Sequence, residues 1–161
     1  MADWQVKFAI VPRRALAASA RKPLAELMDA NWWAAESLPA DYASKLTAIA
    51  PSTSPASAPE VQTWGEPDGN RVDVRIESGR VSQVTARVDV RKLDARFGAM
   101  LLQFARVADA VLIRGDGLVI EPMAGAFGAA LKTSDAWKYA NDAASFMARH
   151  ANDEDEDEDD D

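Results

Sequence analysis

The sequence has no cysteine, a single histidine and no long hydrophobic run. Without cysteine the chain has no disulfides, thiolate nucleophiles or zinc-thiolate sites, as is typical of a reducing compartment. The one histidine, His150, lies beside an acidic run where we expect nothing to orient its imidazole, so we predict no catalysis through it. No segment reaches the roughly 18 apolar residues of a membrane span, and the N-terminus does not have the charge order of a secretory signal. We therefore predict a cytoplasmic protein that does not bind membranes.

Acidic residues are distributed very unevenly. Residues 153–161 are all Asp or Glu and hold nine of the 26 acidic residues, which leaves 17 against 18 Lys and Arg in the rest of the chain. Because adjacent like charges repel each other and bury nothing, we predict a disordered acidic tail over 152–161. Such a tail acts through its field or by docking on a basic surface. We assign partner contact in this tail to Asp155, Asp157 and Asp159.

Hydrophobic periodicity predicts an α+β fold in one domain, residues 1–151. Alternation predicts an N-terminal strand, a three-stranded meander and a C-terminal hairpin, over residues 4–10, 61–91 and 111–120. Spacings of three and four predict helices over residues 22–36, 41–48, 93–108, 123–132 and 135–149. Residues 50–59 hold three prolines and no large apolar side chain, which predicts an exposed connection within the domain. The expected architecture is a mostly antiparallel sheet with helices packed on one face.

The turn near Ser78 decides the register of the meander. The apolar positions on both sides are even-numbered: Val72, Val74, Ile76, Val84, Ala86, Val88 and Val90. A two-residue loop at 78 and 79 would pair odd with even positions and mix the two faces. A three-residue loop of Glu77, Ser78 and Gly79 pairs even with even and places glycine in the left-handed conformation. We therefore predict the three-residue loop with a bulge.

The odd-numbered face of the meander is charged. Its arginines are Arg71, Arg75, Arg87 and Arg91, with Asp73, Glu77 and Asp89 between them. This pattern is typical of a solvated sheet face with cross-strand ion pairs, and it also suits a recognition surface, because arginine is favoured at protein interfaces. Nucleic acid is not the predicted ligand, since the face mixes signs and the acidic tail would compete with phosphates.

Tryptophan is abundant for this length, with five residues, two of them adjacent at positions 32 and 33. On the helix predicted over 22–36, neighbouring side chains point about 100° apart, so one of the two should lie near the surface. Exposed tryptophans often anchor interfaces. We predict Trp33 as a partner-binding residue.

No catalytic, cofactor-binding or metal-binding motif is present, so we predict no enzyme, no cofactor and no metal. A small acidic chain without a catalytic residue set is typical of bacterial immunity or inhibitor proteins. We predict a non-enzymatic protein-binding module that neutralises a basic partner. One alternative is a carboxylate-based, metal-dependent hydrolase using residues among Asp73, Asp89, Asp94, Asp109, Asp116 and Glu121. Another is a scaffold subunit whose acidic tail serves only solubility.

Overall fold

The computed structural model describes residues 3–18, 28, 30–54 and 60–141. These residues form a six-stranded sheet in which all neighbouring strands are antiparallel. The strands are β1 (Gln5–Pro12), β2 (Val61–Gly65), β3 (Arg71–Glu77), β4 (Arg80–Asp89), β5 (Ala110–Arg114) and β6 (Val119–Ile120), in the order β2-β3-β4-β1-β5-β6. The helices are α1 (Arg13–Ala18), α2 (Tyr42–Ile49), α3 (Ala95–Val107), α4 (Ala124–Lys132) and α5 (135–141). The predicted α+β fold is confirmed.

The N-terminal strand β1 lies in the interior of the sheet, between β4 and β5. Its even-numbered side chains, such as Phe8 and Ile10, are buried, as alternation predicts. Ala9 and Val11 on the opposite face are buried as well. Because β1 has a neighbouring strand on both edges, its N–H groups donate to, and its carbonyls accept from, both β4 and β5.

Helices cover the even-numbered face of the sheet. The Phe8 and Phe127 rings lie 5.5 Å apart between centroids, which places α4 against β1. The indole N–H of Trp64 in β2 donates to the Thr47 hydroxyl of α2 over 3.1 Å. Asp94 caps α3 by accepting from the Phe97 backbone N–H over 3.0 Å. The apolar core therefore lies between this face and the helices.

The hairpin between β3 and β4 differs from the predicted three-residue loop. Glu77 pairs with Arg80, so the loop consists of Ser78 and Gly79, whose φ angles of 52° and 75° suit a type I′ turn. The turn matches the twist of the strands, and a bulge then restores the even-with-even register. In this bulge β4 has one extra residue, Ser82, because Ile76 pairs with Val81 and Arg75 pairs with Gln83. The parity was predicted correctly and the loop length was wrong.

The helix predicted over 22–36 is wrong for its described C-terminal part, because residues 30–36 form turns and bends. There the Trp33 backbone N–H donates to the carbonyl of Ser82, the bulge residue, over 3.1 Å. Its indole N–H donates to the Ile10 carbonyl over 2.9 Å. These bonds attach the segment to β1 and β4, and they use the Trp33 N–H that a helix would need for its own bonding.

The two edges of the sheet are protected from pairing with another chain in different ways. Residues 51–54 run beside β2, where Ser52 forms a bridge with Trp64 and the Thr53 N–H donates to the Thr63 carbonyl over 2.8 Å. The opposite edge strand, β6, is only two residues long. Both arrangements limit the backbone that an edge offers to another chain.

Several predictions fall on residues outside the described ones, namely the acidic tail over 152–161, His150 and most of residues 22–29, 55–59 and 142–149. In the described part, the helices predicted over 41–48, 93–108 and 123–132 are confirmed. So is the start of the last helix, where the Ser134 hydroxyl accepts from the Trp137 N–H over 3.1 Å. Among the described helices, none has the length and apolar character to cross a membrane.

Candidate partner-binding surface

The strand register places three cations side by side on the odd-numbered face of the sheet. Arg71 of β3 is opposite Arg87 of β4, and Arg87 is in turn opposite Lys7 of β1. Since neighbouring strands lie about 4.8 Å apart, these residues, which we name the cationic row, span about 10 Å. Arg75 lies on the same side of β3, four residues further on, and is exposed. The sheet thus concentrates positive charge on one patch.

Cations directly opposite each other on neighbouring strands repel, which makes the cationic row unfavourable without an anion. In the described part of the chain, no ion pair joins Lys7, Arg75 or Arg87 to an acidic residue. The Nε atoms of Arg71 and Arg87 are buried and have no hydrogen-bond partner there. Buried polar groups normally form hydrogen bonds, so these two N–H groups are donors without an acceptor among the described residues.

Asp73 is the carboxylate that meets the cationic row. Its Oδ1 accepts from the Arg71 guanidinium over 2.8 Å and from the Thr63 hydroxyl over 2.7 Å. The side chains of Arg71 and Asp73 are only 18% and 14% exposed, so the pair is rigidly held. Asp73 forms its ion pair with Arg71 and forms none with Lys7 or Arg87.

Arg91, predicted to share this surface, has a different role. It follows the end of β4, and its guanidinium donates to Asp89 over 2.8 Å. It also lies over the Trp4 ring, 4.0 Å from the centroid, and bonds the Asp68 carbonyl over 3.4 Å. Burial of Asp89 opposes its ionisation, but the hydrogen bonds from Arg91 outweigh this and lower its pKa. Arg91 therefore anchors the β2–β3 turn and is not part of the cationic row.

The structure brings together some predicted residues and separates others. Arg71, Arg75 and Arg87 share one face as predicted. Lys7 was not among the residues predicted from the sequence. Its odd position in β1 was a usable signal, but the sequence does not show that β1 pairs with β4.

Trp33 is 2% exposed, so the prediction that it anchors a partner at the surface is wrong. The cause is the turn over residues 30–36, which directs both adjacent indoles inward. Asp155, Asp157 and Asp159 lie outside the described residues.

Each candidate acid for a hydrolase has a structural partner. Asp94 caps α3, and Asp73 and Asp89 pair with arginines as described above. Asp109 and Glu121 both bind Arg13, with Glu121 2.6 Å from the guanidinium, and Asp116 binds Arg114 over 2.7 Å. The hydrogen bonds from Arg13 and Arg114 lower the pKa values of Glu121 and Asp116. All six acids are therefore engaged in contacts that stabilise the fold.

A cleft of about 730 Å³ lies between the β2–β3 turn and the start of α3. Its charged and amide lining residues are Glu66, Asn70, Asp89, Lys92, Asp94 and Arg96. Of these, Arg96 donates to the Ala48 carbonyl over 2.9 Å. Groups of three or more potential metal ligands from His, Cys, Asp and Glu do not occur among the described residues. The cleft walls are thus held mainly by internal bonds.

The chain matches no known protein-family model, and neither the curated proteins nor the solved structures contain one with significant similarity to it.

Proposed function

We propose that the protein is a non-enzymatic protein-binding module that neutralises a partner with a basic surface, as an immunity or inhibitor protein does. The observation that carries the proposal is that the chain concentrates charge of opposite sign in two places. The cationic row of Lys7, Arg87 and Arg71 is positive and residues 153–161 are negative, whereas the charges of the chain outside 153–161 nearly balance. The acidic segment attracts the basic surface of the partner. The charged sheet face then binds acidic groups of the partner that lie beside the partner's basic surface.

The two charged parts have different effects on binding. Long-range attraction by the nine carboxylates raises the association rate and is weakened by salt. Short-range contacts of arginine guanidinium groups, with their several donors, mainly set the dissociation rate. The same nine carboxylates repel phosphates, which argues for a protein rather than a nucleic acid as the partner.

A carboxylate-based hydrolase is less well supported. Its general acid needs a raised pKa so that it holds a proton near neutral pH. The pKa values of Asp89, Asp116 and Glu121 are lowered instead, and arginine is the neighbour in each case. The binding proposal also requires no cofactor or metal.

Pulldown from the native host with the full chain tests the proposal, followed by kinetic measurement with the partner recovered. We expect a basic protein whose association rate falls with salt. Replacing the acids of 153–161 with Asn and Gln should slow association, whereas Arg75→Glu should speed dissociation. Lys132→Glu is the matched control, because Lys132 is exposed at the end of α4 and the charge change is identical.

Two outcomes contradict the proposal. One is that both charge variants bind the recovered protein like the wild type. The other is metal-dependent hydrolysis of a phosphoester or glycoside that is lost in Asp73→Asn or Asp89→Asn, which would support the hydrolase.

A further inference from the structure

We propose that the cationic row is the docking site of the chain's own acidic segment, residues 153–161. This inference deepens the proposed function, on which it rests, by describing how the acidic segment is held before a partner arrives. The row offers an anion two cations that form no ion pair with a described acidic residue, Lys7 and Arg87, next to an arginine already paired with Asp73. The exposed Arg75 extends the positive patch along β3.

Charge complementarity identifies the occupant. The segment 153–161 supplies nine consecutive carboxylates, and the 18 Lys and Arg elsewhere almost balance the other 17 acids. A carboxylate between Arg71 and Arg87 would relieve the repulsion between these directly opposed cations. Carboxylates bound to guanidinium groups form charge-assisted hydrogen bonds, which are stronger than neutral ones.

The chain is long enough for this contact. The segment begins twelve residues after Asn141, the last described residue. This stretch spans about 40 Å if it is extended, and about 25 Å if the helix predicted over 135–149 continues to its end. Six strands spaced about 4.8 Å apart cover about 24 Å, so either length is comparable to the width of the sheet. Ala136 and Trp137 pack against the core, which keeps the start of this stretch close to the sheet.

Docking has a consequence for partner binding. A carboxylate segment held on the cationic row is withheld from a basic partner until that partner offers stronger attraction. By linkage, partner binding to the segment and segment binding to the row weaken each other by the same factor. The cationic row is then freed for the partner's acidic groups at the same moment.

The absence of cysteine allows a direct test with the full chain. A nitroxide is attached to the single cysteine of the Asp161→Cys variant. NMR then compares backbone amide intensities with the nitroxide oxidised and reduced. We expect intensity loss at Lys7, Arg71 and Arg87 at about 0.01 M salt, where the Debye length is about 30 Å. The loss should disappear at about 1 M salt, where that length is about 3 Å.

Matched variants assign the effect to the row. Lys7→Gln with Arg87→Gln should abolish the intensity loss, and the same spectrum reports whether the variant is folded. Arg80→Gln with Lys132→Gln removes two exposed cations elsewhere and should leave the loss unchanged. Replacing the acids of 153–160 with Asn and Gln should abolish the loss without altering the sheet.

Three outcomes overturn the inference: no intensity loss at the row, loss that persists in the Lys7→Gln and Arg87→Gln variant, or loss centred on another surface. Mixing isotope-labelled chains without nitroxide with unlabelled spin-labelled chains must give no loss, since a loss there would mean that the occupant belongs to a second copy. None of these outcomes depends on a partner, so failure of the inference is distinguishable from failure of the proposed function.

Discussion

The two faces of the β3–β4 pair differ, because one packs against helices and the other carries charged side chains. On the even-numbered face Val72, Val74, Val84 and Ala86 are at most 2% exposed and contact the helix layer. On the odd-numbered face the same strands carry Arg71, Asp73, Arg75, Gln83, Thr85 and Arg87. Burial of apolar area stabilises the first face, whereas the cations of the second repel one another. Stability and the proposed binding can therefore be altered separately.

The largest effect is expected in the layer that covers the even-numbered face. Phe104 of α3 is 3% exposed, and Phe104→Ala should lower the free energy of unfolding by about 3–5 kcal/mol, because it removes a buried ring and leaves a cavity. Urea denaturation measures this value. Phe104→Leu is the control and should cost less, since it retains most of the buried volume. A loss below about 1 kcal/mol, close to the effect of a surface substitution, would contradict the difference between the faces.

Gly79 tests the turn that joins the two strands. Its φ of 75° is unfavourable for a β-branched residue, so Gly79→Val should cost about 1–3 kcal/mol of unfolding free energy. A Cβ atom at this position would meet no atom within 4 Å, so the cost is conformational rather than steric crowding by neighbours. Gly79→Asn should be tolerated better, because asparagine adopts the left-handed conformation more readily. Equal thermal melting of the Val and Asn variants would contradict the type I′ turn.

Arg87→Gln tests the odd-numbered face. It removes the middle cation of the row, which lies opposite both Arg71 and Lys7, so the free energy of unfolding should stay unchanged or rise by about 0.2–1 kcal/mol. Arg71→Gln is the contrasting variant, because it also removes the 2.8 Å ion pair with Asp73. It should be the less stable of the two by chemical denaturation. A strong destabilisation by Arg87→Gln alone would mean that the row contributes to packing.

The smallest effect concerns pH. The pKa of Asp89 is lowered from its ordinary value of 3.8, so the folded state binds the proton less readily than the unfolded state. Its contribution is complete above the ordinary pKa and is lost as the pH falls below 3.8 toward the folded-state value. Asp89→Asn should therefore flatten the decline of stability in acid, measured by urea denaturation at a series of pH values. An unchanged acid profile would exclude the Asp89–Arg91 pair as its source.

Sequence periodicity was sufficient to predict most strands and helices and part of the candidate site. The strands of the meander and the helix of Phe104 follow from apolar spacings that only one kind of element can bury. The shared face of Arg71 and Arg87 follows from parity within a local hairpin. The prediction for Trp33 failed because it assumed a helix, whereas distant backbone carbonyls of Ile10 and Ser82 hold its segment in turns.

The sequence by itself determined the alternation of apolar and charged positions, the absence of thiol chemistry and the concentration of negative charge in residues 153–161. These depend on residue type and local spacing. Only the tertiary structure decided that β1 lies beside β4, which adds Lys7 to the two arginines, and that a bulge at Ser82 corrects the parity of a two-residue turn. Pairing between distant strands depends on the packing of the whole chain, and no local pattern specifies it.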